Sequence, residues 1–135
     1  MTAGQRESFI AFLKMLPLHG PWISELHHGD CVGVDAQAHE IALPFSEDAF
    51  RIHVHPPSTN KYRAGKLGHV NLLPDEYMAR NRAIVECVDV LFVVPAETKE
   101  EVRSGTWSTY RYALRMGVPC IVIPPGDHAD RDTRK

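Results

Sequence analysis

Val90-Leu91-Phe92-Val93-Val94 and Cys120-Ile121-Val122-Ile123 are the two runs that decide the fold class. Each is short and continuously apolar, as expected of a strand buried on both faces of a parallel sheet. Between them Ser104-Gly105-Thr106 opens a helical stretch to about residue 116, and Gly117 supplies its C-terminal glycine. The order is therefore strand, helix, strand.

The same alternation extends toward the N-terminus. Pro74, Asp75 and Glu76 open a helix to about residue 88, with proline at its start and acids facing the positive end of the macrodipole. Residues 51–55, Arg51-Ile52-His53-Val54-His55, alternate with period two and stop at Pro56-Pro57, so a strand delivers His55 to a loop. Residues 34–43 are Ala-rich and helical, ending at Pro44, and Gly29 and Gly33 permit a tight turn before them. A short strand is expected over 22–27. A helix is expected over 3–16, where Phe9, Phe12, Leu13 and Leu16 recur at helical spacing before Pro17 and Gly20. Residues 56–73 show no periodicity, and a structureless loop of that length reads as a lid.

Strands alternating with helices imply an α/β fold, a Rossmann-like parallel sheet of about four to five strands with helices on both faces. At 135 residues the chain is long enough for one domain, expected over 1–125, with a frayed tail over 126–135. Lys plus Arg number 15 against 17 Asp plus Glu, a formal charge of −2, which argues against a broad basic surface for duplex nucleic acid. No apolar stretch approaches the roughly 20 residues of a membrane helix, and the first residues do not form a secretory signal, so no membrane partner and a cytoplasmic location are expected. Cys31, Cys87 and Cys120 are odd in number and widely spaced, which fits no disulfide framework; Cys87 and Cys120 read as small core residues.

In an open parallel sheet the ligand crevice lies beyond the carboxyl ends of the strands. Residues 27–35, with Gly29, Asp30, Gly33 and Asp35, turn from strand to helix there; they read either as a plain turn or as a backbone cradle for an anion or ribose. Ser104, Gly105, Thr106 and Thr109 start a later helix. They offer hydroxyl and backbone donors to a phosphate, or simply cap the helix. Arg80, Asn81 and Arg82 place two cations and an amide in one helical turn, for a phosphate or for solvent. Asp35 and His39 share a helix face as an acid-base pair or a surface contact, and with Asp30 they are the catalytic candidates. His53 and His55 face one side of their strand and could join His27 or His28 around a metal, but no Asp or Cys completes a ligand set, so neither metal nor cofactor is expected.

Together these segments are more specific than any one of them. His28-Gly29-Asp30-Cys31-Val32-Gly33-Val34-Asp35-Ala36-Gln37-Ala38-His39 resembles the Gly-x-x-x-Gly-x-Asp-x-x-Ala-His element of the DNA-processing protein A (Smf) family. Arg80-Asn81-Arg82-x-Ile84, the strand after Asp89, and Ser104-Gly105-Thr106-x-x-Thr109-x-Arg111-x-Ala113-x-x-x-Gly117 follow the same family order, so the likeness covers most of residues 28–124. It extends to the SLOG superfamily, which includes the Lonely Guy phosphoribohydrolases, and is closest to its small single-domain phage and bacterial members. The resemblance implies binding of a nucleotide or nucleotide-derived small molecule, with phosphate at Ser104, Gly105 and Thr106, charge from Arg80 or Arg82, and ribose at Asp30 or Asp35.

Two alternatives stay open. Aligning the Lonely Guy Gly-Thr with Gly105-Thr106 puts Thr109 where that family carries its catalytic Glu, which leaves an N-glycosidic hydrolase or transferase as an alternative. The other is a single-stranded DNA binder using Lys61, Arg63, Lys66, Arg80 and Arg82, with Tyr62 or Trp107 for stacking. Small relatives begin with a strand and a Gly-rich turn just before a helix like 3–16, so a first strand is expected to be missing. The neighbouring edges would then be covered by a second copy, making a homo-oligomer.

Overall fold

A computed structural model describes residues 1–15, 24–47, 49–96 and 105–126. They form α1 (Ala3–Met15), β1 (Glu25–His28), α2 (Val34–Ser46), β2 (Arg51–Val54), a 3-10 turn at Asn60–Tyr62, β3 (Val70–Asn71), α3 (Tyr77–Cys87), β4 (Leu91–Val93), α4 (Gly105–Met116) and β5 (Cys120–Val122). Every ladder between these strands is parallel and the class is α/β. In place of one sheet, the described strands make a three-stranded sheet in the order β1-β2-β3 and a two-stranded sheet, β4-β5. The chain falls into two compact units, one of residues 10–84 and one of residues 1–9 with 85–135. Within each sheet it is consecutive strands that pair, so the pairing is local.

In the unit of residues 10–84, β1 and β2 lie in register Glu25↔Arg51 through His28↔Val54. The connecting α2 packs on β2, and Ile41, Ala42, Ile52 and Val54 are buried there. α2 runs through Pro44 to Ser46 instead of stopping, because a proline this near the end costs only one helical hydrogen bond. Ser46 Oγ donates to the Leu43 carbonyl at 2.7 Å in that last turn.

Residues 56–73 are not structureless. They hold the 3-10 turn, and β3 pairs with β2 at His53↔Val70 and Val54↔Asn71. The Asn71 side chain brackets Gly68, accepting its N–H at 2.8 Å and donating to its carbonyl at 3.0 Å. Gly68 has to be glycine, since a Cβ would stand 2.6 Å from the Ile52 carbonyl oxygen. α3 begins later than expected, where Glu76 accepts the Ala79 N–H at 2.9 Å and caps the helix.

In the other unit β4 and β5 pair from Leu91↔Cys120 to Val93↔Val122, and α4 packs on both, with Trp107 and Ala113 buried. Gly117 (φ 77°) ends α4 in a Schellman arrangement, with the Val118 N–H bonded to the Ala113 carbonyl at 2.9 Å. Thr2 and Gln5 form a reciprocal capping box at the start of α1. The buried Gln5 amide then donates to the carbonyls of Pro95 at 2.8 Å and Ile123 at 2.9 Å, tying that turn to the segments just past β4 and β5. Cys87, expected in the core, is exposed, and Cys120 is half-buried. The expected strand residues 22 and 23, Leu16 of the first helix and tail residues 127–135 lie outside the described residues. Among the described residues no helix is long and apolar enough to cross a membrane.

Candidate functional site at the carboxyl edge of β1 and β2

β1 hands the chain to Gly29, Asp30 and Cys31, and β2 hands it to His55; the turn and His55 are joined by the His55 N–H donating to the His28 carbonyl at 2.9 Å. Asp30 takes the left-handed conformation (φ 55°), which Asp tolerates better than most residues, and is buried. Its carboxylate accepts the N–H of Gly65 at 3.1 Å and of Lys66 at 2.8 Å, while its carbonyl accepts the Ala64 N–H at 2.8 Å. Arg63 Nε lies 3.7 Å from the same carboxylate. The expected ribose ligand is thus engaged in seating residues 63–66.

The Asp30 N–H donates to His28 Nδ1 at 3.0 Å, so the His28 proton is on Nε2, 2.9 Å from His39 Nδ1. Burial, and then the neighbouring His39 ring, pushes the His28 pKa down to about 4, so this pair is neutral at pH 7. His39 is therefore a buried partner of His28, which corrects its reading as a surface contact of Asp35. The Asp35 carboxylate turns back to accept the Cys31 N–H at 3.2 Å, and burial raises its pKa above the ordinary Asp value.

Arg80 is buried as well, and the reading of a solvated or phosphate-facing cation is corrected. Its Nη1 donates to the carbonyls of Gly29 and, at 3.1 Å, of His55; its ring neighbour is Tyr77, 5.0 Å away. Its Nε is buried with no partner among the described residues. Helical geometry separates the two arginines: Arg80 shares a face with buried Ile84, whereas Arg82 is exposed and Asn81 is half-buried. Gly33 (φ 99°) stands exposed at the start of α2, and the Val32 N–H donates to the Tyr62 carbonyl at 2.8 Å. That bond seats the exposed Tyr62 beside the α2 N-terminus, with Lys61 Nζ 5.1 Å from its ring.

The second predicted cradle belongs to the other unit. Thr109 Oγ donates to the Gly105 carbonyl at 2.8 Å, a bond within α4; Thr106 is exposed, and Ser104 lies outside the described residues. Trp107 is only 6% exposed, so it is a core residue and offers no stacking face. Lys66 Nζ pairs with Glu40 at 2.9 Å.

One group escaped the sequence reading. Glu25 and His27 alternate onto one face of β1, and His53 is the register partner of His27 on β2. Glu25 Oε1 is 2.7 Å from His27 Nε2 and 3.8 Å from His53 Nε2, and the three ligand atoms all lie within 4.8 Å of one another. The sequence reading looked for an Asp or Cys beside these histidines; the acid that the register brings to them is a glutamate, Glu25. The signal was present as Glu25-x-His27 and His53-x-His55, polar at alternate positions against Leu26, Ile52 and Val54. Beyond them, His27 Nδ1 lies 2.7 Å from His55 Nε2. Comparison of the chain with family models, with curated proteins and with solved structures gives no match.

Proposed function

We propose that this chain is a SLOG-type, Rossmann-like domain that binds a nucleotide or nucleotide-derived small molecule at the carboxyl edge of β1 and β2. The observation that carries the reading is the Val32-to-Tyr62 backbone bond, which holds the backbone of Tyr62, a residue with an exposed ring, beside the N-terminus of α2. An aromatic face for a base, a helix N-terminus for a phosphate and the Lys61 cation then share one surface. Beneath it the buried His28, Asp30, His39, His55 and Arg80 bond one another and the surrounding backbone, which makes the edge a rigid platform.

Calorimetric titration with a nucleoside monophosphate panel tests this. Tyr62→Ala is expected to weaken binding of nucleotide and nucleoside alike by about tenfold, the scale of one lost stacking contact. Lys61→Ala should weaken only the phosphate-bearing ligands. A panel with no binder, or unchanged affinity in Tyr62→Ala, defeats the reading. Loss confined to Gly105→Val moves the phosphate to the start of α4.

The same reading includes self-association. β3 is the edge of its sheet, and the apolar side chains that bracket it, Leu67, Leu72 and Leu73, are exposed. Such apolar surface at a sheet edge favours a second copy.

A further inference from the structure

We propose that Glu25, His27 and His53 form a three-ligand site for a divalent first-row transition ion, Zn2+ in the first instance, with His55 as the outer-shell partner of His27. The inference does not rest on nucleotide binding, and its three ligands are side chains that reading leaves unassigned.

The geometry follows from the parallel ladder. His27 and His53 are opposite one another in register, their rings stack with centroids 4.4 Å apart, and Glu25 reaches them from two residues earlier on β1. A tetrahedral Zn2+ with bonds of about 2.0–2.1 Å needs its ligand atoms roughly 3.4 Å apart. The Glu25 separations of 2.7 Å and 3.8 Å bracket that value, all three ligand atoms lie within 4.8 Å of one another, and rotation of the stacked rings would turn their Nε2 lone pairs onto one ion. Two imidazoles and a carboxylate are a borderline donor set suited to Zn2+ and its neighbours, and three protein ligands leave a position for water or substrate. Glu25 is 47% exposed at its side chain, against 5% for His27 and 16% for His53, so an ion enters past the carboxylate.

The outer shell is the second observation. A histidine that binds metal through Nε2 must carry its proton on Nδ1, and bound histidines nearly always donate that proton to a fixed acceptor. His27 Nδ1 has such an acceptor in His55 Nε2 at 2.7 Å, and His55 is itself buried and anchored through its carbonyl to Arg80.

The test is titration of the full chain with Zn2+ alone, followed by Co2+ as a spectroscopic substitute. One equivalent of Zn2+ is expected per chain, with a raised unfolding temperature and a Co2+ visible spectrum of tetrahedral intensity without thiolate charge transfer. Glu25→Ala and His53→Asn should each weaken binding by about tenfold or more, with wild-type circular dichroism. Because Glu25 is exposed, its variant keeps the test decisive if His53→Asn fails to fold. Absence of a one-equivalent site, unchanged affinity in Glu25→Ala, or a Co2+ spectrum carrying thiolate charge transfer from Cys31, Cys87 or Cys120 overturns the proposal.

Discussion

The carboxylate of Asp30 accepts the backbone N–H of Lys66 at 2.8 Å across 36 positions of sequence. With the parallel bond to Gly65, it is what seats the segment after the 3-10 turn against the end of β1. Asp30→Ala would leave two backbone donors without their charged acceptor and put a Cβ-bearing residue without local compensation at φ 55°. A loss of about 3 kcal/mol in urea denaturation is expected, together with faster proteolysis between residues 60 and 66. Asn, which tolerates the left-handed region and keeps one acceptor oxygen, should cost clearly less than Ala.

Gly29 is required for a different reason, close approach. A Cβ there would overlap the Arg80 guanidinium, with its central carbon at 2.7 Å, and stand 3.1 Å from Asp35 Oδ2. Gly29→Ala is therefore expected to push Arg80 off the Gly29 and His55 carbonyls and to destabilise the chain by more than Arg80→Lys, which keeps a donor. Chemical denaturation of both variants checks the order. Equal stability of Gly29→Ala and wild type would mean that Arg80 has room to move.

The difference between these two residues shows what the sequence can disclose. That Gly29-Asp30 is a turn was legible, because glycine and aspartate between a strand and a helix have a local meaning. That Asp30 holds residues 64–66 was not, since nothing local encodes a partner so far along the chain. Arg80 was half-legible: its i+4 relation to Ile84 marks an inward face, but what waits there is a pair of carbonyls from two other segments. The same limit hid Glu25. Period two aligned it with His27, and only the register of β1 on β2 brings His53 opposite. β3, two residues long, was too short for any pattern, and its pairing depends on Gly68 and Asn71 holding a turn against β2.

Acid should unfold the chain early. His28 and His55 are both held at about 4, burial being the first cause in each, against an ordinary 6.5. Between those values the unfolded chain binds protons that the folded one refuses, so stability is full above about pH 6.5 and is lost as pH falls toward 4. At about 1.4 kcal/mol per pH unit for each, the drop from 6.5 to about 4 sets an upper bound of about 7 kcal/mol for the two groups together. Asp35, whose carboxyl is raised, works in the opposite direction and softens the loss at the lower end of the window. Urea midpoints measured from pH 7.5 to 4.5 should fall steadily, and His55→Asn, if folded, should fall with a shallower slope. A flat profile would mean that neither ring is buried in its neutral form.

Self-association should be removable at one position. Leu73 is 89% exposed and Leu67 77% exposed, on either side of the edge strand β3, and Leu72 is 40% exposed between them. Covering a leucine that stands fully in water gains roughly 1.5–3 kcal/mol, and a two-fold contact counts each such residue twice. Leu73→Glu replaces that gain with a carboxylate that must be desolvated on both copies, while its exposure means that the fold of the single chain has little to lose. Multi-angle light scattering at micromolar concentration is expected to give an oligomer for the wild type and a monomer for Leu73→Glu, with equal unfolding midpoints at high dilution. A wild-type monomer removes self-association from the proposed function. An oligomer that survives Leu73→Glu moves the contact away from β3.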